Sequence, residues 1–213
     1  MENKKVGIGA YIALIFAIVF FSGIFGGFEG WLQIFDFNTL VGKFGQIAAE
    51  GGNFTFRGSG GTGARDGFLF ALNLMPTVIF ALAMVAVLEY FGALEAGRVL
   101  LTPLLKPLLG IPGSAGLTLI ASLQSTDAGA GMTLDLHKEG EITDNQKSIF
   151  AAFQFSAGAT ITNFFATGGA LYALTTATGE TAVQVPMIIP LALIFVLKVF
   201  GANVMRMYVK AGR

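Results

Sequence analysis

Long uncharged stretches alternate with short charged ones along this chain, and the spacing of the charges predicts where it crosses a bilayer. Residues 6–28 carry no charge between Lys4 and Lys5 on one side and Glu29 and Trp31 on the other. About 20 helical residues span the hydrocarbon layer, so this run reads as a transmembrane helix. A cleaved signal peptide is the competing reading, but its apolar core runs to roughly 7 to 15 residues before a small-residue cleavage site. Residues 67–88, broken only by Asn73 and Pro76, and residues 181–197, which include Pro186 and Pro190, form two more uncharged runs. Packed neighbours can repair the backbone bonds that proline removes in a membrane helix.

Two further apolar regions are interrupted. Residues 99–136 hold Pro103, Pro107, Pro112, Gly110, Gly113 and Gly116, followed by the polar run Gln124, Ser125, Thr126, Asp127. That punctuation excludes one straight helix. Residues 149–174 are apolar but carry Gln154, Ser156, Gly158, Thr160, Thr162 and Asn163 at their centre, which predicts a span unwound in its middle.

Lys4 and Lys5 precede the first run, and Arg206, Lys210 and Arg213 follow the last. Basic residues stay on the cytoplasmic side, so both termini are expected there and the number of crossings is even. Three uninterrupted spans and the 149–174 segment make four. The 99–136 region then enters and leaves on one side as a re-entrant helical hairpin; Arg98 and Lys106 before it and Lys138 and Lys147 after it put that side in the cytoplasm. A fifth full crossing, with an external basic tail, is the alternative. The predicted fold is an all-α integral membrane protein with about four transmembrane helices plus a re-entrant hairpin of broken helices. Its divisions are residues 1–66, a central 67–175 and a closing 176–213.

The segment between the first two spans is expected outside. Trp31, Phe35 and Phe37 suit the headgroup layer, and Asn38 can cap a helix carrying Leu40, Val41, Phe44, Ile47 and Ala48 on one face. That helix lies flat on the interface or packs on a partner. Thr143 and Gln146 stand at capping-box spacing before an apolar run, so a helix starts there. Gly58-Ser59-Gly60-Gly61-Thr62-Gly63 matches G-x-G-x-x-G, yet no strand-turn-helix context surrounds it and the loop is expected outside. It reads instead as a glycine loop folding Arg57, Arg65 and Asp66 over the external mouth.

Composition narrows the chemistry. Of 213 residues, 54% are hydrophobic and 12% charged, about half the charge of a soluble globule. No cysteine is present and His137 is the sole histidine, which removes thiolate and multi-histidine metal sites and argues against a Ser-His-Asp triad. Thirteen basic residues balance thirteen acidic ones, so nothing attracts nucleic acid. No enzyme, no metal and no cofactor are expected. Glu89, Glu95 and Arg98, and the loop residues Lys138, Glu139, Glu141 and Asp144 with His137, read as solvated polar clusters.

Asp127 is an ionisable group inside an apolar region. A carboxylate at membrane depth is disfavoured by roughly 2.5 to 3.5 kcal/mol even on lenient scales, so it requires a partner or a use; capping a half-helix at a hairpin tip is the plainer role. Gln154, Thr160, Thr162 and Asn163 form a second polar island, which alone could be interhelical glue. Two discontinuous segments, each with a glutamine at its centre, are what two half-sites meeting at the midplane require.

The run Leu101-Thr102-Pro103-Leu104-Leu105-Lys106-Pro107-Leu108-Leu109-Gly110-Ile111-Pro112-Gly113, then Ala121-Ser122-Leu123-Gln124-Ser125-Thr126-Asp127-Ala128-Gly129-Ala130, resembles the nucleoside-recognition (Gate) domain family. That family includes bacterial inner-membrane proteins and spore maturation membrane proteins. The resemblance continues through Phe153-Gln154-Phe155-Ser156-Ala157-Gly158 and Ile161-Thr162-Asn163-Phe164-Phe165, and covers roughly residues 57–175. It implies a gate-like hairpin, distantly similar to those of concentrative nucleoside transporters, with ligand-contacting polar groups at the tip: Gln124, Ser125, Thr126 and Asp127, with Gln154 and Asn163 opposite. The longer acidic and aromatic signatures of those transporters are absent. Family members often look like half of a transporter, which implies a homo-oligomer or a second Gate-domain subunit.

The combined expectation is an inner-membrane carrier for a small polar metabolite, nucleoside-like compounds included, working by alternating access with Na+ or H+ coupling. Gln124, Ser125, Thr126, Gln154, Thr160 and Asn163 would bind substrate, and Asp127 would hold the coupling cation, Na+ among the options, or change protonation. A non-transporting membrane scaffold, its polar islands serving as packing glue, is the rival.

Overall fold

The computed structural model describes residues 6–28, 30–41, 64–176 and 178–212, except the side chains of residues 64–66. Its helices are α1 (Ile8–Ser22), α2 (Phe37–Val41), α3 (Ala64–Tyr90), α4 (Ala93–Leu109), α5 (Gly116–Gln124), α6 (Thr126–Lys138), α7 (Asp144–Phe155), α8 (Thr160–Asn163) and α9 (Ile188–Lys210). Among the described residues no strand forms beyond an isolated bridge between Thr175 and Thr181. The protein is all-α and of membrane type. Three stretches, Gly67–Tyr90, Asp144–Ala173 and Ile188–Lys210, are long and apolar enough to cross a bilayer.

The first and last apolar runs differ from expectation. Residues 6–28 do not form one helix: α1 stops after 15 residues, about 22 Å at 1.5 Å per residue. Gly23 turns left-handed at φ 78°, and the Ser22 hydroxyl accepts from the Ile24 N–H at 3.1 Å while donating to the Val19 carbonyl at 2.7 Å. The last span is displaced toward the C-terminus. Residues 181–187 are irregular, and α9 starts at Ile188 and runs past Lys198 to Lys210. Pro190 falls in its first turn, where a missing N–H is tolerated.

The described chain forms two compact units, one drawn from Met1–Ala17, Leu88–Asn163 and Pro190–Arg213, the other from Ile18–Val87 and Phe164–Ile189. In the first, α4 stays helical through Pro103 and Pro107 and ends where Gly110 turns left-handed at φ 74°. Helix termination frees carbonyls that need donors. Asn203 of α9 donates to the Leu108 carbonyl at 2.9 Å, and Gln146 of α7 donates to the Gly110 carbonyl at 3.0 Å. Around them, Leu105, Leu109, Ile111, Leu119, Phe150 and Phe153 form the core of this unit.

The second unit is built on phenylalanine. Phe37 stacks on Phe80 at 5.8 Å, and Phe21 lies 5.2 Å from Phe37 and 4.1 Å from Phe165. Burial of Phe37 fixes the start of α2, so its cap is Asp36 and not Asn38: Asp36 Oδ1 accepts from the Thr39 N–H at 3.0 Å. Phe44, Ile47 and Ala48 of the expected interfacial helix lie outside the described residues, as do the glycine loop and Arg57. The side chains of Arg65 and Asp66 lie outside them too. Asp36 is 0% exposed with Oδ2 unpaired. A cavity of about 240 Å³ lined by Leu40, Val41, Pro76, Thr77 and Phe80 adjoins the equally unpaired Thr77 hydroxyl.

Candidate functional site

The polar islands of the sequence become two chain breaks, both within the first unit. At the first, α5 and α6 form a hairpin hinged on Ser125, whose extended backbone (φ −145°, ψ 121°) stops one helix and caps the next. Ser125 Oγ accepts from the Ala128 N–H at 3.3 Å, the cap that serine supplies well. The two helices approach to backbone contact at Gly129: a methyl there would lie 2.6 Å from Ser122 Cα.

The second break follows α7. The capping box starts this helix as expected, with the Gln146 N–H donating to Thr143 Oγ1 at 3.2 Å and the Thr143 N–H donating to Gln146 Oε1 at 3.0 Å. After Phe155 the chain unwinds for residues 156–159, with Ala157 and Ala159 left-handed at φ 49° and 48°. Such backbone is disfavoured by roughly 1 to 2 kcal/mol per non-glycine residue, so its surroundings must hold it. Non-helical backbone at membrane depth survives only where protein or a wet cavity satisfies it.

The two breaks cross. Thr162 Oγ1 donates to the Gln124 carbonyl at 2.8 Å, tying the start of one half-helix to the end of another. Gly158 lies against Thr126 so closely that a methyl would collide with Thr126 Oγ1. A side chain at 158 would require the Thr126 side chain to move.

Lys198, which lies one residue beyond the expected third span, is the buried charge at this site that sequence reasoning missed. It is 1% exposed. Its Nζ donates to the carbonyls of Gln154 (3.4 Å), Ser156 and Ala157 (3.2 Å) and lies 4.8 Å from the centre of the Phe153 ring. An ammonium has three donors, and the unwound end of α7 supplies three acceptors with the negative pole of a helix behind them. Among the described residues no carboxylate pairs with Lys198. The available signal was a lysine with Leu197 before it and Val199 and Phe200 after it, inside a run that resumes its apolar character.

The expected site residues separate into engaged and free groups. Gln154 is 1% exposed and committed: Nε2 donates to Thr133 Oγ1 at 2.9 Å and to the Gly129 carbonyl at 3.2 Å, locking α7 onto α6. Thr160 donates to the Ala157 carbonyl at 2.7 Å, and Asn163 Nδ2 to the Gly158 carbonyl at 2.9 Å. The side chains of Gln124, Thr126 and Asp127 make no hydrogen bond to a described residue. Asp127 is exposed at the hairpin tip, where burial at membrane depth was expected. Away from the crossing, Arg98 Nε donates to Glu95 at 2.9 Å, and that bond holds the Glu95 carboxyl below its usual range. His137 contacts the Ile142 carbonyl at 3.1 Å and Asp144 at 3.2 Å. No group of three or more metal-ligating side chains occurs among the described residues.

Residues 71–171 match the nucleoside-recognition family Gate. The chain is 49% identical over 209 residues, 98% of its length and 88% of the relative's, to Uncharacterized protein YjiH of Escherichia coli (strain K12). It is 29% identical over 102 residues, 47% of this chain and 66% of the relative, to Inner membrane protein YjiG of the same strain. No solved structure matches it. The crossed breaks, residues 116–163, fall inside the matched region, and the chain belongs to the nucleoside-recognition (Gate) family, alongside YjiH and YjiG.

Proposed function

We propose that this chain is a subunit of an inner-membrane transporter for a small polar metabolite, with the substrate held at the hairpin tip where the two breaks cross. The observation that carries this reading is the Thr162 to Gln124 bond at the crossing, which leaves the neighbouring side chains of Gln124, Thr126 and Asp127 uncommitted. Carriers use the loose backbone of broken helices to hold cargo and ions. A nucleoside or nucleobase suits amide and hydroxyl groups of this kind. In this reading the Gln124 amide and the Thr126 hydroxyl bind substrate, with Ser125 and Asn163 at the rim, and Asp127 changes protonation or binds the coupling cation. Asp127 is exposed and Gln124 and Thr126 are half-buried, and in this reading a second copy or another Gate-domain subunit completes the site. Both termini are cytoplasmic by the distribution of lysine and arginine.

One observation favours the rival scaffold reading: Gln154 acts as glue between α6 and α7. Counterflow uptake in proteoliposomes separates the two. A carrier gives saturable exchange for a nucleoside, base, amino acid or carboxylate in the panel; a scaffold gives none. A thermal-shift screen with the same panel identifies the cargo, because a ligand of the folded state raises the melting temperature with its concentration.

A further inference from the structure

The unwound end of α7 has the chemistry of a monovalent-cation site. Three backbone carbonyls converge at a helix C-terminus, in an enclosed place, with an aromatic face alongside. In carriers with discontinuous helices, such carbonyls are the ones that coordinate Na+. Here the position is filled from within the chain. Lys198 reaches it from α9, and α9 comes close enough that a methyl on Gly201 would sit 3.3 Å from Ser156 Oγ. The ammonium resembles a partly desolvated Na+ in charge and in its need for oxygen ligands. It differs in being covalently tethered, so it cannot leave with cargo.

We infer that the Lys198 ammonium occupies the place of a coupling Na+ at the crossing, so that this chain holds its broken helix together without Na+. The inference builds on the proposed carrier reading and narrows its coupling: no sodium ion binds at the carbonyls of residues 154–157. It also gives a use to a lysine placed inside an apolar span, where an unpaired charge is strongly disfavoured.

The test is melting temperature in detergent micelles as choline chloride is replaced by NaCl at constant ionic strength. Asp127→Asn, which removes the other cation site the carrier reading allows, is the background for every variant, and with Lys198 intact it is expected to stay flat. Lys198→Ala empties the place and takes the ammonium from all three carbonyls, leaving Ala157 only its Thr160 donor, so it melts lower in choline and recovers saturably with Na+, by about 2 to 4 °C. Lys198→Met fills the same volume with no charge, so it melts low and does not recover. A saturable sodium-dependent rise in the Asp127→Asn protein with Lys198 intact overturns the inference, and so does a Lys198→Ala variant of it that melts alike in both salts. Should that variant not fold, the titration of the Asp127→Asn protein decides: a saturable rise overturns the inference and a flat line upholds it. The readout needs no cargo, so failure of the carrier reading, seen as absent counterflow, is separate from failure of this one.

Discussion

Gly129 and Gly131 lie two residues apart in α6, and the structure assigns opposite consequences to the same substitution at each. At Gly129 an added methyl would collide with Ser122 Cβ and sit 2.6 Å from Ser122 Cα and 3.1 Å from Ser122 N. Two of those atoms are backbone, so neither helix can yield without opening the hairpin. Overpacking of this sort is disfavoured by about 1 to 3 kcal/mol, and a backbone collision belongs at the upper end. Alanine regains about 1 kcal/mol of helix propensity. The net loss is about 2 kcal/mol, which lowers the melting temperature of a chain this size by about 4 to 8 °C. At Gly131 nothing lies within 4 Å of the added methyl, so only the propensity acts, and Gly131→Ala should melt about 2 to 4 °C higher. Thermal unfolding followed by helical circular dichroism in micelles reads both. If Gly129→Ala melts at or above wild type, or the two variants move in the same direction, α5 and α6 do not meet at backbone distance and the hairpin is built differently.

Gln154→Leu keeps the volume but removes the amide bonds that tie α7 to the Thr133 hydroxyl and the Gly129 carbonyl, which stay paired with each other at 2.7 Å; a net intramolecular hydrogen bond is worth about 0.5 to 1.5 kcal/mol, so the protein melts a few degrees lower, whereas the KM of whatever it carries is unchanged. A changed KM would return Gln154 to the cargo site. Gln124→Ala removes an amide with no described partner, so stability stays within about 0.5 kcal/mol while counterflow falls; retained flux would remove that residue from binding. Asp36→Asn preserves the Oδ1 acceptor for the Thr39 N–H and replaces an unpaired buried carboxylate oxygen, so its melting temperature rises, whereas Asp36→Ala loses a cap worth about 1 kcal/mol and melts lower. A lower melting temperature for Asp36→Asn would mean that the charge itself is held by a partner.

Much of this architecture is legible in residue order. The Thr143 and Gln146 pair starts α7 because its two side chains satisfy backbone donors locally, with no tertiary help. Both breaks are visible as polar residues inside apolar runs. What residue order conceals is where the third dimension reassigns a group. A lysine ends an uncharged run on paper, so Lys198 closed the last predicted span; in the fold its carbonyl partners lie more than 40 residues earlier in the chain. Asp127 has apolar neighbours in sequence, yet it occupies a hairpin tip and faces outward. Asp36 and Asn38 are equally good caps by type, and only the burial of Phe37 selects between them.

The two breaks are not equivalent, and that asymmetry favours one of them as the working part. At the 156–159 break, Lys198 satisfies the Gln154, Ser156 and Ala157 carbonyls, Thr160 adds a second donor to Ala157, and Asn163 covers Gly158. Little polar capacity is left there for a ligand. At the Ser125 break the backbone is tied by Thr162, but the adjoining side chains of Gln124, Thr126 and Asp127 are unspent. Moving the 156–159 break would strip an ammonium of its acceptors, and moving the Ser125 hairpin as a body would break the Thr162 bond, the contact with Gly158 and the Gln154 bonds that hold α6 to α7. Both backbones are therefore held, and what distinguishes the Ser125 break is its uncommitted side chains, which leave it the capacity to bind a ligand. Substitutions of the Gln124 and Asp127 side chains should alter exchange with little effect on melting temperature, Ser125→Ala should in addition lose a cap worth about 1 kcal/mol, and substitutions at Lys198 should lower the melting temperature.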